Sequence, residues 1–253
     1  MSSPLLRVSA LRKKYGEIVV ADAIAFELQR GECLGVIGPN GAGKSSLFNL
    51  ITGVAVPDSG SIRLDATELV GKAPHLRARL GVARAFQIPQ PFTHLTVYEN
   101  VLAAATFGAG LAGAEAARAA MAALARSGLA ASAGLLAGKL PLLDRKRLEL
   151  AKAIATSPTL LLLDEVAGGL TEPEVQALSA LIAELKAEYA VIWIEHIPQA
   201  LRAVADRIMV LHFGRKLLEA PPDEAMASRA VREIYMGLAD DEDEDEDDTD
   251  GAA

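Results

Sequence analysis

The sequence predicts an α/β fold in which a parallel-stranded core carries an antiparallel β subdomain and an inserted α-helical subdomain. Three stretches carry that expectation. "LRVSALRKKYGEIVVADAIAFELQRGECLGVIG", ending at Gly38, alternates apolar and polar residues and breaks at Gly16 and Gly31, the pattern of several short strands. From about residue 88 the texture turns Ala-rich, with "GAEAARAAMAALARSGLA" the clearest helical run. "TLLLLDE", "YAVIWIEH" and "DRIMVLHF" then restore strand signals between helical segments, and that alternation implies parallel crossovers with both sheet faces covered. The expected division is 1–87 for the first half of the core with the β subdomain, 88–155 for the helical subdomain, 156–238 for the second half of the core, and 239–253 for a disordered acidic tail.

One helix boundary follows from local chemistry. Thr171 and Glu174 stand three apart ahead of Val175, Leu178, Leu181 and Leu185, a capping box followed by an apolar stripe at helical spacing. The helix is expected from about Glu172 to Glu188. There is no internal repeat.

Composition bounds the function. A length of 253 residues, 51% of them apolar, suffices for a large core. Cys33 is the only cysteine, so no disulfide closes within the chain and a reducing, cytoplasmic compartment is expected. "MSSPLLRVSALRKKYG" lacks the apolar run of a signal peptide. "VLAAATFGAGLAGA" falls short of the roughly 20 residues that span a bilayer. The net charge of −8 comes from the C-terminus, because "DDEDEDEDDTD", residues 240 to 250, holds 10 of the 33 acids. Without it the body has 25 bases against 23 acids. Such a run reads as a solvated tail, and no dense basic stripe points to nucleic acid.

"GPNGAGKS", residues 38 to 45, follows the apolar strand "CLGVIG" and precedes "SLFNLITG", which has helical spacing. That context makes the G-x-x-x-x-G-K-S spacing a phosphate-binding P-loop. Its backbone, from Gly38 through Pro39, Asn40, Gly41, Ala42 and Gly43, wraps close around phosphates, and the helix opening at Lys44, Ser45 and Ser46 adds its positive end. Lys44 brings a mobile charge to the terminal phosphates and Ser45 a hydroxyl to Mg²⁺. Asp164 closes a buried apolar strand and suits a Mg²⁺ shell. Glu165, next along and turned the other way, suits the orientation or deprotonation of water. A P-loop also serves GTPases and small-molecule kinases, but the chain has no N-K-x-D guanine reader.

The order of motifs from Leu6 to Leu238 resembles the nucleotide-binding subunit of an ABC transporter. That resemblance implies a P-loop ABC ATPase binding ATP and Mg²⁺. It implies that Tyr15, in "KKYG", stacks on adenine, and that Gln87, in "ARAFQIPQPFTHLTVYENV", reaches Mg²⁺ and the attacking water. It gives His196, closing "VIWIEH", contact with the γ-phosphate. "GKSSLFNLITGVAVPDSGSI", "RLGVARAFQ", "LTVYENVLAA" and "VREIYMG" are similar to ATPase subunits of importers for branched-chain amino acids and related small solutes, including urea and short amides. The implied partners are transmembrane permease subunits and a second ABC ATPase subunit, and the implied place is the cytoplasmic face of the inner membrane. The segment after Gln87, "IPQPFTHLTVYENV", fits a groove for a permease helix, and the alternative is that much of it packs inside the helical lobe.

The sequence departs from the family where L-S-G-G-Q is usual, for "LPLLD", residues 140 to 144, stands there. Pro141 has neither hydroxyl nor N–H, Leu142 and Leu143 add bulk, and Asp144 brings a negative charge toward a phosphate. This favours a heterodimer in which another subunit supplies the intact signature. A second reading has Asp144 simply capping the following helix. Val166 stands where Pro is usual and Thr171 where Asp or Asn is usual. Two rival functions stay open at this point, a soluble non-transport ABC ATPase and a poorly hydrolysing regulatory subunit.

Overall fold

The computed structural model describes residues 3–229, 231 and 232, so the acidic tail lies outside the described residues. In chain order come β1 (Leu6–Tyr15), β2 (Ile18–Leu28), β3 (Cys33–Ile37), α1 (Lys44–Thr52), β4 (Ser59–Leu64), β5 (Thr67–Glu68), α2 (Pro74–Arg79) and β6 (Val82–Ala85). There follow α3 (Val97–Ala103), α4 (Gly113–Arg126) and α5 (Leu142–Ile154). The chain then returns to the core with β7 (Leu160–Asp164), α6 (Glu172–Lys186), β8 (Ala190–Ile194), α7 (Pro198–Val204), β9 (Arg207–His212), β10 (Arg215–Ala220) and α8 (Pro222–Ala227).

Two sheets form. The first has order β2-β1-β4-β5 and is antiparallel. The second has order β10-β9-β3-β8-β7-β6, parallel from β9 to β6, with β10 antiparallel at its edge. Every residue of β3, β7 and β8 is buried, which is why these strands read as continuous apolar runs without alternation. The strand period still operates. Leu160 and Leu162 join the core with β1, β2 and α1, whereas Leu161 and Leu163 join the core with the helices, so the sheet is covered on both faces.

The helical segment packs through small residues. Ala116, Ala120, Ala123 and Leu124 line one stripe of α4 at i, i+4, i+7 and i+8, and all are buried. Two capping boxes set helix starts. Thr171 donates its amide and its hydroxyl to Glu174 at 2.9 and 2.7 Å, and α6 runs from Glu172 to Lys186, two residues shorter than its spacing predicts. Thr96 and Glu99 cap α3 in the same way. At the far end of α1 the fully buried Arg77 donates to the carbonyls of Leu50 and Ile51 at 2.6 and 3.0 Å, satisfying oxygens the helix itself leaves without donors. Among the described residues no helix is long and apolar enough to cross a membrane.

Candidate active site

The parallel sheet delivers its functional residues at one end, because β3, β7 and β8 run the same way and their C-terminal ends lie side by side. The loop Gly38–Gly43 leaves β3 and turns into α1 at Lys44. Glycine is required at two places in it. A Cβ on Gly43, at φ 101°, would run into the Val20 carbonyl, and one on Gly38 into the Leu211 carbonyl. The β9–β10 turn straps the loop in place, with the Gly214 amide donating to Ala42 O at 3.0 Å and the Gly214 carbonyl accepting from Asp22 at 2.7 Å.

Lys44 is buried, and its Nζ donates to the carbonyls of Gly38 and Pro39 at 2.7 and 3.0 Å. Burial lowers its pKa, and the nearby carboxylates of Glu165 and Asp164 oppose that shift. Ser45 is exposed on the first turn of α1 and Ser46 half-buried beside it. Pro39 is half-buried, and Asn40 and Gly41 stand at the open crest of the loop.

Asp164 ends β7, buried, in an ion pair with Arg84 from the neighbouring β6. Arg84 also donates to Asn49 Oδ1 on α1 at 2.8 Å and sits over the rings of Phe86 and Phe48, at 4.9 and 5.5 Å. Glu165 begins the loop beyond β7 with φ 48°, a left-handed backbone that costs a non-glycine residue on the order of 1 kcal/mol. That reversal sends its carboxylate away from Asp164's partner. Oε1 meets His196 Nε2 at 2.8 Å and Oε2 accepts from Gln87 Nε2 at 2.5 Å. Gln87, Glu165 and His196, spread over more than a hundred residues of chain, thus form one hydrogen-bonded chain beside Lys44.

Two further charges are buried beneath this cluster. Lys146 of α5 donates its Nζ to the Gln87 carbonyl at 2.5 Å, and burial lowers its pKa against the pull of Glu195, Glu165 and Glu149. Glu195 directly follows β8 and is fully buried, accepting from the amides of Ala167 at 2.9 Å and His196 at 3.2 Å. Burial pushes its pKa up to about 7, with Glu165 adding to the rise and the two amides and Lys146 opposing it. The folded chain therefore holds a proton here that the unfolded chain has lost, and stability falls as pH rises from about 4.5 to 7. Glu195→Gln removes the ionisation, so its urea-unfolding free energy should match wild type at pH 5 and exceed it by on the order of 3 kcal/mol at pH 8.

Arg84, Lys146 and Glu195 escaped the sequence reading. Each had a signal. Arg84 is a lone charge inside an apolar strand, Lys146 lies on the buried stripe of Glu149, Leu150 and Ala153, and Glu195 directly precedes the histidine.

Tyr15 stands apart from the carboxylates, at the end of β1 and half exposed, paired across to the exposed Ile18 with Lys13 Nζ 5.0 Å from its ring. The "LPLLD" stretch lies at the start of α5. Pro141 precedes the first helical residue and no side chain caps the helix. Asp144 is therefore not the cap, since it sits inside the first turn and pairs with Arg147 at 3.3 Å. Leu142 is exposed, and its side chain leans to within 3.4 Å of where a Cβ on Gly169 would lie.

The donor set suits Mg²⁺, with the Ser45 hydroxyl, the Gln87 amide oxygen and the Asp164 carboxylate, all hard oxygens. Among the described residues no group of three His, Cys, Asp or Glu is placed to hold a metal ion. A groove of about 510 Å³ opens along β6, between Thr52, Val54, Arg77, Phe86, Gln90 and Lys152. Val54 and Phe86 in its lining are at least half exposed, as are Ile88 and Phe92 in the segment that follows Gln87.

The family model described as ABC transporter matches residues 21–168. The chain is 35% identical over 255 residues to the high-affinity branched-chain amino acid transport ATP-binding protein BraF of Pseudomonas aeruginosa, covering 94% of this chain and all of that one. It is 36% identical to the corresponding protein LivG of Escherichia coli over the same shares of the two chains. In structure it is similar to the ADP conformation of MJ1267, an ATP-binding cassette of an ABC transporter, with a TM-score of 0.85 at 26% identity over 93% of this chain and 100% of that one.

Proposed function

Since the chain belongs to the ABC transporter family as one of its ATP-hydrolysing cassettes, we propose that it powers uptake of branched-chain amino acids or a related small polar solute through a membrane permease. The solute class is supported by the relatives that match end to end. The observation that carries the hydrolytic reading is the hydrogen-bonded chain Gln87–Glu165–His196 beside Lys44 and the cradle.

ATP is the substrate. The backbone N–H groups of Asn40 to Ser46, at the loop and the first turn of α1, seat its phosphates. Lys44 exchanges the Gly38 and Pro39 carbonyls for the β- and γ-phosphates, and Tyr15, with Ile18 beside it, offers an apolar platform to adenine. Ser45, Asp164 and Gln87 would hold Mg²⁺, which supplies charge neutralisation on the phosphate oxygens. Glu165 accepts the proton of the water whose oxygen bonds to the γ-phosphorus as the bond to the ADP oxygen breaks. His196, on the other edge of Glu165, donates to the departing phosphate. Closure of two cassettes around ATP, and their release after hydrolysis, drives the permease, whose cytoplasmic helix docks in the groove edged by Val54, Phe86 and Gln90.

The altered start of α5 favours pairing with a second, different ATPase subunit. The chain then works at the cytoplasmic face of the inner membrane, held there by its partners. The soluble non-transport reading has no observation in its favour. Reconstitution in proteoliposomes with co-purified permease and second ATPase subunit tests the proposal. ATP hydrolysis should rise several-fold with a leucine-, isoleucine- or valine-loaded binding protein, and a flat response would remove this solute class.

A further inference from the structure

We propose that Glu195 is a positioning residue that holds Glu165 and His196 in register for hydrolysis. The proposal deepens the reading of those two residues given above and rests on it.

Glu165 and His196 come from different strand ends, and their 2.8 Å contact depends on two loops keeping their places. One loop leaves β7 through the strained backbone of Glu165 and continues through Val166 and Ala167. The other leaves β8 at Glu195. The Glu195 carboxylate joins them, one oxygen on the Ala167 amide and the other on the amide of His196 itself. No other side chain among the hydrogen bonds described here ties the backbone after Glu165 to the backbone of His196. Both accepted bonds need lone pairs directed at N–H groups, so the ionised carboxylate is the form that makes both. Keeping a carboxylate in a fully buried position is unfavourable, as its raised pKa records, and a neutral amide, with a single acceptor oxygen, could hold only one of the two N–H groups. The groups facing it are Glu165 from the β7 loop, Lys146 from α5 and His196 beside it, and Arg202 and Arg232 share the wall of the adjoining cavity.

The test compares Glu195→Gln with wild type in the assembled transporter. Gln keeps one acceptor oxygen and turns an NH₂ toward the second amide, so one tether is lost. Turnover should fall roughly 10- to 100-fold, the scale of a small misplacement of reacting groups, while the KM for ATP stays within about twofold. The decline of wild-type turnover below about pH 7 that follows Glu195 protonation should be missing in the variant. Hydrogen exchange of the Ala167 and His196 amides should quicken whether or not ATP is present. Unchanged turnover, a raised KM with unchanged kcat, or unchanged exchange at both amides would overturn the proposal. A wild-type assembly that binds but never hydrolyses ATP would instead remove the catalytic reading on which it rests.

Discussion

Glu165→Gln should bind ATP as tightly as wild type and turn it over roughly two to four decades more slowly, the range for losing a general base. The substitution is nearly isosteric, so Gln87 and His196 keep a hydrogen-bonding neighbour. What is lost is a carboxylate able to take a proton. Loss of its negative charge also removes an attraction acting on Lys44, which leaves the ammonium no less able to reach phosphate. With the second ATPase subunit present, the closed ATP-bound dimer should therefore accumulate, visible as an ATP-dependent shift in size-exclusion chromatography and as slow single-turnover kinetics. Turnover within threefold of wild type would transfer the role of base to another group.

Restoring the start of α5 should have the next largest effect. In Pro141→Ser/Leu142→Gly/Leu143→Gly/Asp144→Gln the first-turn amides become open to a phosphate across the interface, a hydroxyl is added and an opposing charge is removed. Two charge-assisted hydrogen bonds at roughly 1.5 to 3 kcal/mol each correspond to about 10² to 10⁴ in affinity for the γ-phosphate of a facing subunit. The purified chain alone should then dimerise with ATP and hydrolyse it cooperatively. Each glycine in the helix costs about 1 kcal/mol in stability, so the melting temperature should drop by a few degrees while activity rises. The asymmetric-pair proposal fails if the unmodified chain alone already hydrolyses ATP cooperatively, as fast as its mixture with a second subunit.

Much of the fold was legible because its signals are local. "TLLLLDE" and "YAVIWIEH" are apolar on both faces, a pattern that only a sheet covered on both sides stabilises, and both strands lie in the middle of the parallel sheet. The capping box at Thr171 and Glu174 involves residues three apart and was readable to within two residues at the helix end. The P-loop likewise sits within a single strand-turn-helix unit. The site was less legible wherever its contacts join distant residues. Gln87 and His196 could be tied to Glu165 only through a resemblance, and nothing local distinguished Asp144 as a cap from Asp144 as a first-turn residue paired with Arg147.

The sequence by itself determined the alternation of strands and helices, the phosphate-binding turn and the two acids at a strand's mouth, because each depends on side-chain spacing along a few residues. Only the tertiary structure decided what those acids meet. Arg84 reaches Asp164 across adjacent strands, the left-handed backbone of Glu165 turns its carboxylate to Gln87 and His196, and Lys146 and Glu195 lie buried beneath them. These pairings depend on which strands lie side by side and on which charges lose their water, and both are set by packing the whole chain.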